Sequence, residues 1–89
     1  MSTTLNSDIL DDNLAVSLAK ALAAANRRAK ELGLDVADSL ITISQIVENG
    51  GFVWRVNYGP KDYVSLRGGD LIIDLAPDDA EIRQVLRGQ

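Results

Sequence analysis

The chain contains neither cysteine nor histidine, and these two absences remove much of the chemistry open to a small domain. Without cysteine there is no disulfide framework, thiolate nucleophile, zinc–thiolate site or iron–sulfur cluster. Without histidine the commonest metal ligand and the usual near-neutral acid/base are gone, leaving carboxylates, lysine and tyrosine to titrate. Basic charge is also scarce: nine Lys and Arg stand against thirteen Asp and Glu, a net charge of -4. Such a field repels phosphate backbones, so nucleic acid is disfavoured as a partner. Residues 1–8, Met-Ser-Thr-Thr-Leu-Asn-Ser-Asp, have no basic start and no long apolar run. A signal peptide or membrane anchor is therefore not expected, and a cytoplasmic location is the default.

What remains is the ordinary balance of a folding domain, 46% apolar and 25% charged over 89 residues. That length supports one two-layer core. Residues 1–8 are polar and aperiodic and read as a flexible terminus; residues 9–89 read as a single domain.

The chain is organised around residues 39–58, where Leu40-Ile41-Thr42-Ile43-Ser44-Gln45-Ile46-Val47 and Phe52-Val53-Trp54-Arg55-Val56-Asn57-Tyr58 flank Asn49-Gly50. Asn and Gly tolerate the positive φ that a tight primed turn demands, so the stretch predicts a β-hairpin. In its second strand Phe52, Trp54, Val56 and Tyr58 share one face and Val53, Arg55 and Asn57 the other, the alternation of a half-buried antiparallel strand. A hairpin alone is marginal and needs further strands and a covering helix.

The helix precedes it. Leu10, Leu14, Leu18, Leu22, Ala25, Ala29 and Leu32 recur every three or four residues on one helical face. Ser7, Asp8, Asp11 and Asp12 offer N-cap oxygens and early negative charge. Arg27, Arg28 and Lys30 complement the dipole at the other end, and Gly33 closes the helix with Leu34 as its hydrophobic contact. Alanines at 15, 19, 21, 23, 24, 25 and 29 make the helix thin enough for bulky strand residues to approach it, and Trp54 is expected to pack on them.

After the turn Gly59-Pro60-Lys61-Asp62, a third strand is expected at Tyr63–Arg67 and a fourth at Asp70–Leu75, with Leu71, Ile73 and Leu75 inward. The tail supports two readings. Asp78 with Glu81 resembles a capping box, and Ile82, Val85 and Leu86 fit a helical face, which local chemistry slightly favours. Alternatively Pro77–Ala80 is a turn and Glu81–Arg87 a last strand. The expected class is α+β: one long N-terminal helix on an antiparallel meander of four strands, closed by a fifth strand or a short helix.

The Ala- and Leu-rich helix, the hairpin with Phe52-Val53-Trp54-Arg55-Val56, and Ile72-Ile73-Asp74 followed by a turn and Glu81-Ile82 together resemble the PepSY-type module of the cystatin-like α+β arrangement. In that family a strand ending in Val-Asp is followed by a Gly-containing turn and Glu-Val; here Asp78-Asp79-Ala80 occupies the turn. The resemblance spans residues 14–87. It implies a non-catalytic binding or inhibitory module with a helix across an antiparallel sheet, and a tail that is a strand.

On the face away from the helix, strand parity places Thr42, Ser44, Arg55, Asn57, Tyr63, Ser65, Arg67, Asp70, Ile72 and Asp74, joined by Arg83 if the tail is a strand. The plain reading is a wet face of cross-strand ion pairs. The functional one is a small anionic-ligand site in which the forks of Arg55 and Arg67 receive a carboxylate or phosphate. The acids Asp74, Asp78, Asp79 and Glu81 lack calcium-loop spacing and read as a solvated turn. No catalytic residue, metal ligand or cofactor is expected, and the chain does not read as an enzyme. Leu40, Ile46, Val53, Ile72 and, in a strand tail, Val85 fall on the outer parity. Apolar residues outside and an open sheet edge point to protein contact, with a homodimer as the simplest partner.

Overall fold

The computed structural model describes residues 11–60 and 70–87. Helix α1 covers Asn13–Glu31, a short 3-10 turn covers Val36–Asp38, and four strands follow: β1 (Ser39–Glu48), β2 (Gly51–Pro60), β3 (Leu71–Leu75) and β4 (Ile82–Arg87). The strands form one antiparallel sheet in the order β1-β2-β3-β4, with α1 lying mainly over the two central strands. The fold is the α+β arrangement expected. The proposed strand at Tyr63–Arg67 lies outside the described residues, and β2 pairs directly with residues 71–75.

Both ends of α1 follow from side-chain chemistry. The Asp12 carboxylate accepts the backbone N–H groups of Leu14 and Ala15 at 3.0 and 3.1 Å, satisfying two of the orphan donors at the helix start. At the far end Gly33 takes φ +91°. There the Leu34 N–H reaches back to the Ala29 carbonyl and that of Gly33 to the Lys30 carbonyl, each at 3.0 Å, a Schellman closure. In the hairpin, Asn49 (φ 37°) and Gly50 (φ 80°) both take the left-handed conformation, as the primed two-residue turn requires.

The core joins Ala21, Ala25 and Ala29 of α1 to Trp54, Val56 and Tyr58 of β2 and to Leu71, Ile73 and Leu75 of β3. The deepest helical contacts are thus alanines at i, i+4 and i+8. Leu18 and Leu22 are only partly buried, and Leu14 is half exposed. Two side-chain links fix the register of helix on sheet. Trp54 Nε1 donates to Ser17 Oγ at 2.8 Å, and that hydroxyl donates onward to the Pro77 carbonyl at 2.7 Å. Nearer the helix C-terminus, the Tyr58 hydroxyl donates to Asn26 Oδ1 at 2.6 Å.

Burial pushes the Tyr58 phenol up from 10.0 to about 12. The folded state keeps a proton that the unfolded chain loses, so Tyr58 contributes stability that is complete below pH 10 and lost as pH rises toward 12. Thermal melts between pH 8 and 11.5 will show a steeper alkaline fall for the wild type than for Tyr58→Phe. At neutral pH the variant will be less stable by about 1 kcal/mol, the net value of one hydrogen bond.

The tail is a strand, for a reason its sequence half conceals. Ala80 adopts φ +61°, which ends any helix begun at Asp78. The turn is closed by Ala80 N–H to the Ala76 carbonyl at 3.1 Å and Ala76 N–H to the Glu81 carbonyl at 2.8 Å. A register shift then sets Gln84 opposite Asp74 but Ile82 opposite Leu75. Arg83 is therefore the extra residue of a β-bulge. Ile82 and Val85, three apart, can both face the core only because of that bulge. The simple alternation that would put Val85 on the outer face is corrected accordingly: Val85 pairs with Ile73 and packs inward.

Candidate functional site

Strand register assembles the face away from α1 into rows. One runs Ser44–Arg55–Asp74–Gln84 and the next Thr42–Asn57–Ile72–Leu86. In the first row Arg55 Nε and Nη2 donate to the two carboxylate oxygens of Asp74 at 2.8 and 2.9 Å, a bidentate fork. Asp74 is 6% exposed, the one buried charged side chain among the described residues. Its hydrogen bonds, and then its charge, raise the Arg55 pKa above its ordinary value against a smaller opposing effect of desolvation.

This pairing bears on the anionic-ligand reading. Arg55 lies where parity put it, but the Nε/Nη2 edge of its guanidinium already holds a carboxylate, so a further anion would meet only the Nη1 end. Arg67, its expected companion, lies outside the described residues. Sequence reasoning placed Asp74 on the same face as Arg55, but only the β2–β3 register sets the two directly opposite.

The acidic turn is locally consumed as well. Asp79 Oδ1 accepts the Glu81 N–H at 3.0 Å, and Glu81 Oε1 stands 3.4 Å from Arg83 Nε. Among the described residues no group of three or more carboxylates converges in a way that could hold a metal ion. At the helix end, Arg28 Nη1 meets Glu31 Oε1 at 3.1 Å with both side chains exposed. The depressions on the surface are shallow; one is lined by Ala23, Asn26, Arg27, Lys30 and Glu31 on the solvent side of α1. No helix among the described residues is long and apolar enough to cross a membrane.

The feature that stands out is the contrast between the two sheet edges. β4 has six residues, a bulge, and arginines at 83 and 87, all devices that discourage pairing with a foreign strand. β1 has ten residues in unbroken register with β2, no proline, no lysine, and one charge, Glu48, at its very end. Among the described residues nothing pairs with its outer side. It carries accessible apolar side chains on both faces. Val47 is 79% exposed and Leu40 46%, while Ile41, Ile43 and Ile46 are half buried, because α1 is centred over β2 and β3 and leaves β1 largely uncovered. The alternating apolar run marked this strand in the sequence; which strand would be left unpaired depended on sheet order.

No protein-family model, curated protein sequence or solved structure matches the chain.

Proposed function

We propose that the protein is a non-enzymatic protein-interaction module that works through the free edge of β1, and that its first partner is itself. The single observation that carries this reading is a ten-residue, nearly uncharged, unbulged edge strand beside a sheet whose opposite edge is guarded. Open backbone N–H and C=O groups on such an edge recruit another strand. The resemblance to PepSY-type modules fits the same class of role. The tail strand and a left-handed Ala80 immediately before Glu81-Ile82, where the family pattern has its glycine turn, support that resemblance.

The test separates the edge from the fold. Glu48 and Gly51 flank the two-residue loop as a hydrogen-bonded pair, so even-numbered β1 residues bond β2 while odd-numbered ones turn their N–H and C=O outward. Gln45→Pro thus deletes an outward N–H alone, and Val47→Lys places charge on a side chain already in solvent. Both variants will keep the wild-type circular dichroism spectrum. Light scattering over a concentration series will give a dimer for the wild type, weakened at least ten-fold in each variant. A wild-type monomer at several hundred micromolar, or a dimer indifferent to both substitutions, overturns the reading.

A further inference from the structure

The geometry points to one mode of self-association: two copies pair β1 to β1 antiparallel about a two-fold axis passing at Ser44, joining two four-stranded sheets into one. This rests on the edge reading above and adds its occupant and register. In an antiparallel pair, residues directly opposite one another lie on the same face of the sheet. Only residues of equal parity can then face each other, if the helix-side residues of both copies are to share one side. That condition leaves axes that pass at a residue and excludes those that pass between residues.

Overlap, charge and burial choose among these axes: those at Ile43 and Ser44, either side of the middle of Ser39–Glu48, pair the two strands most fully. With the axis at Ile43, Asp38 of one copy stands opposite Glu48 of the other, at both ends of the joint. Like charges directly opposite are destabilising, and each chain already carries -4. With the axis at Ser44, no carboxylate stands directly opposite another. On the helix side Ile41 then faces Val47 of the second copy, giving the most exposed large apolar side chain among the described residues a β-branched neighbour, and it does so twice by symmetry. Ile43 faces Gln45. On the other side Ser44 meets Ser44, Thr42 meets Ile46, and Glu48 lies opposite Leu40, with Asp38 of the second copy moved from directly opposite to a diagonal position, where the repulsion is weaker. A second copy suits this strand better than an arbitrary extended peptide because the pattern of β1 answers itself under this rotation, with its lone terminal charge kept out of the centre.

A chain without cysteine allows the register to be read by single-cysteine cross-linking. Ser44 bonds β2 through its backbone, so across the proposed joint Ser44 and its symmetry mate form a non-hydrogen-bonded pair. Cα atoms in such pairs are about 4.5 Å apart, within disulfide reach. In the same register Ile43 and its mate are diagonal neighbours, at about 7–8 Å or more, beyond that reach. Mild oxidation at a concentration where light scattering reports a dimer will convert Ser44→Cys almost completely to covalent dimer and leave Ile43→Cys at least ten-fold less cross-linked. Preferential cross-linking of Ile43→Cys overturns the Ser44 register. Cross-linking of neither variant, with the dimer intact by mass, overturns β1-to-β1 pairing while self-association stands. A wild-type chain that never dimerises overturns both this inference and the reading beneath it.

Discussion

Ile73→Ala will destabilise the protein by about 3–4 kcal/mol, the cost of deleting a fully buried aliphatic side chain and leaving part of its volume empty. Ile73 has no solvent exposure and lies at the centre of β3, between Val56 of β2 and Val85 of β4, beneath the alanines of α1. It contacts every layer the fold has. Against a total stability of about 5–15 kcal/mol for a domain of ordinary stability, the loss will be plain as a lower urea midpoint and a Tm reduced by roughly 15 °C or more. Ile72→Ala is the control. The same residue type on the same strand, half buried on the opposite face, will cost about 1 kcal/mol.

Ala25→Leu will cost a comparable amount, about 3 kcal/mol, by the opposite mechanism. Ala25 is fully buried where α1 rests on the two central strands, and a leucine there forces the helix away from the β2 and β3 side chains of the core. Nothing in helix propensity opposes the change, since leucine is nearly as good a helix former as alanine. The whole effect is therefore one of distance between layers. Ala23→Leu, two residues earlier on the exposed side, will leave the urea midpoint within about 0.5 kcal/mol of wild type. If Ala25→Leu proves equally neutral, the close helix–sheet approach described here is wrong.

The readability of the sequence varied with how local each signal was. The hairpin was legible because its determinant, Asn49-Gly50, acts on its own backbone. So was the helix, whose cap and closing glycine sit within one turn of their partners. The tail was not, because Ile82 and Val85 are spaced for a helix and face one side of a strand only across a bulge that β3 imposes. The Arg55–Asp74 pair and the unguarded edge of β1 both depend on strand order, a property of the whole sheet that no short window contains. The helical face was legible in its periodicity but not in its depth: the leucines that announce it stop short of full burial, and the alanines between them carry the contact.

The hydrogen-bonded chain from Trp54 through Ser17 to Pro77 has an optical consequence. Trp54 is the chain's one tryptophan, and its indole stands where β2, α1 and the turn leading to β4 meet. Intrinsic fluorescence is therefore a local gauge of whether these three pieces are seated together. An event confined to the far edge of the sheet will leave the emission nearly silent. Release of the helix will move the emission to the red even where the strands stay paired, so a single cuvette can tell docking of the helix from integrity of the sheet.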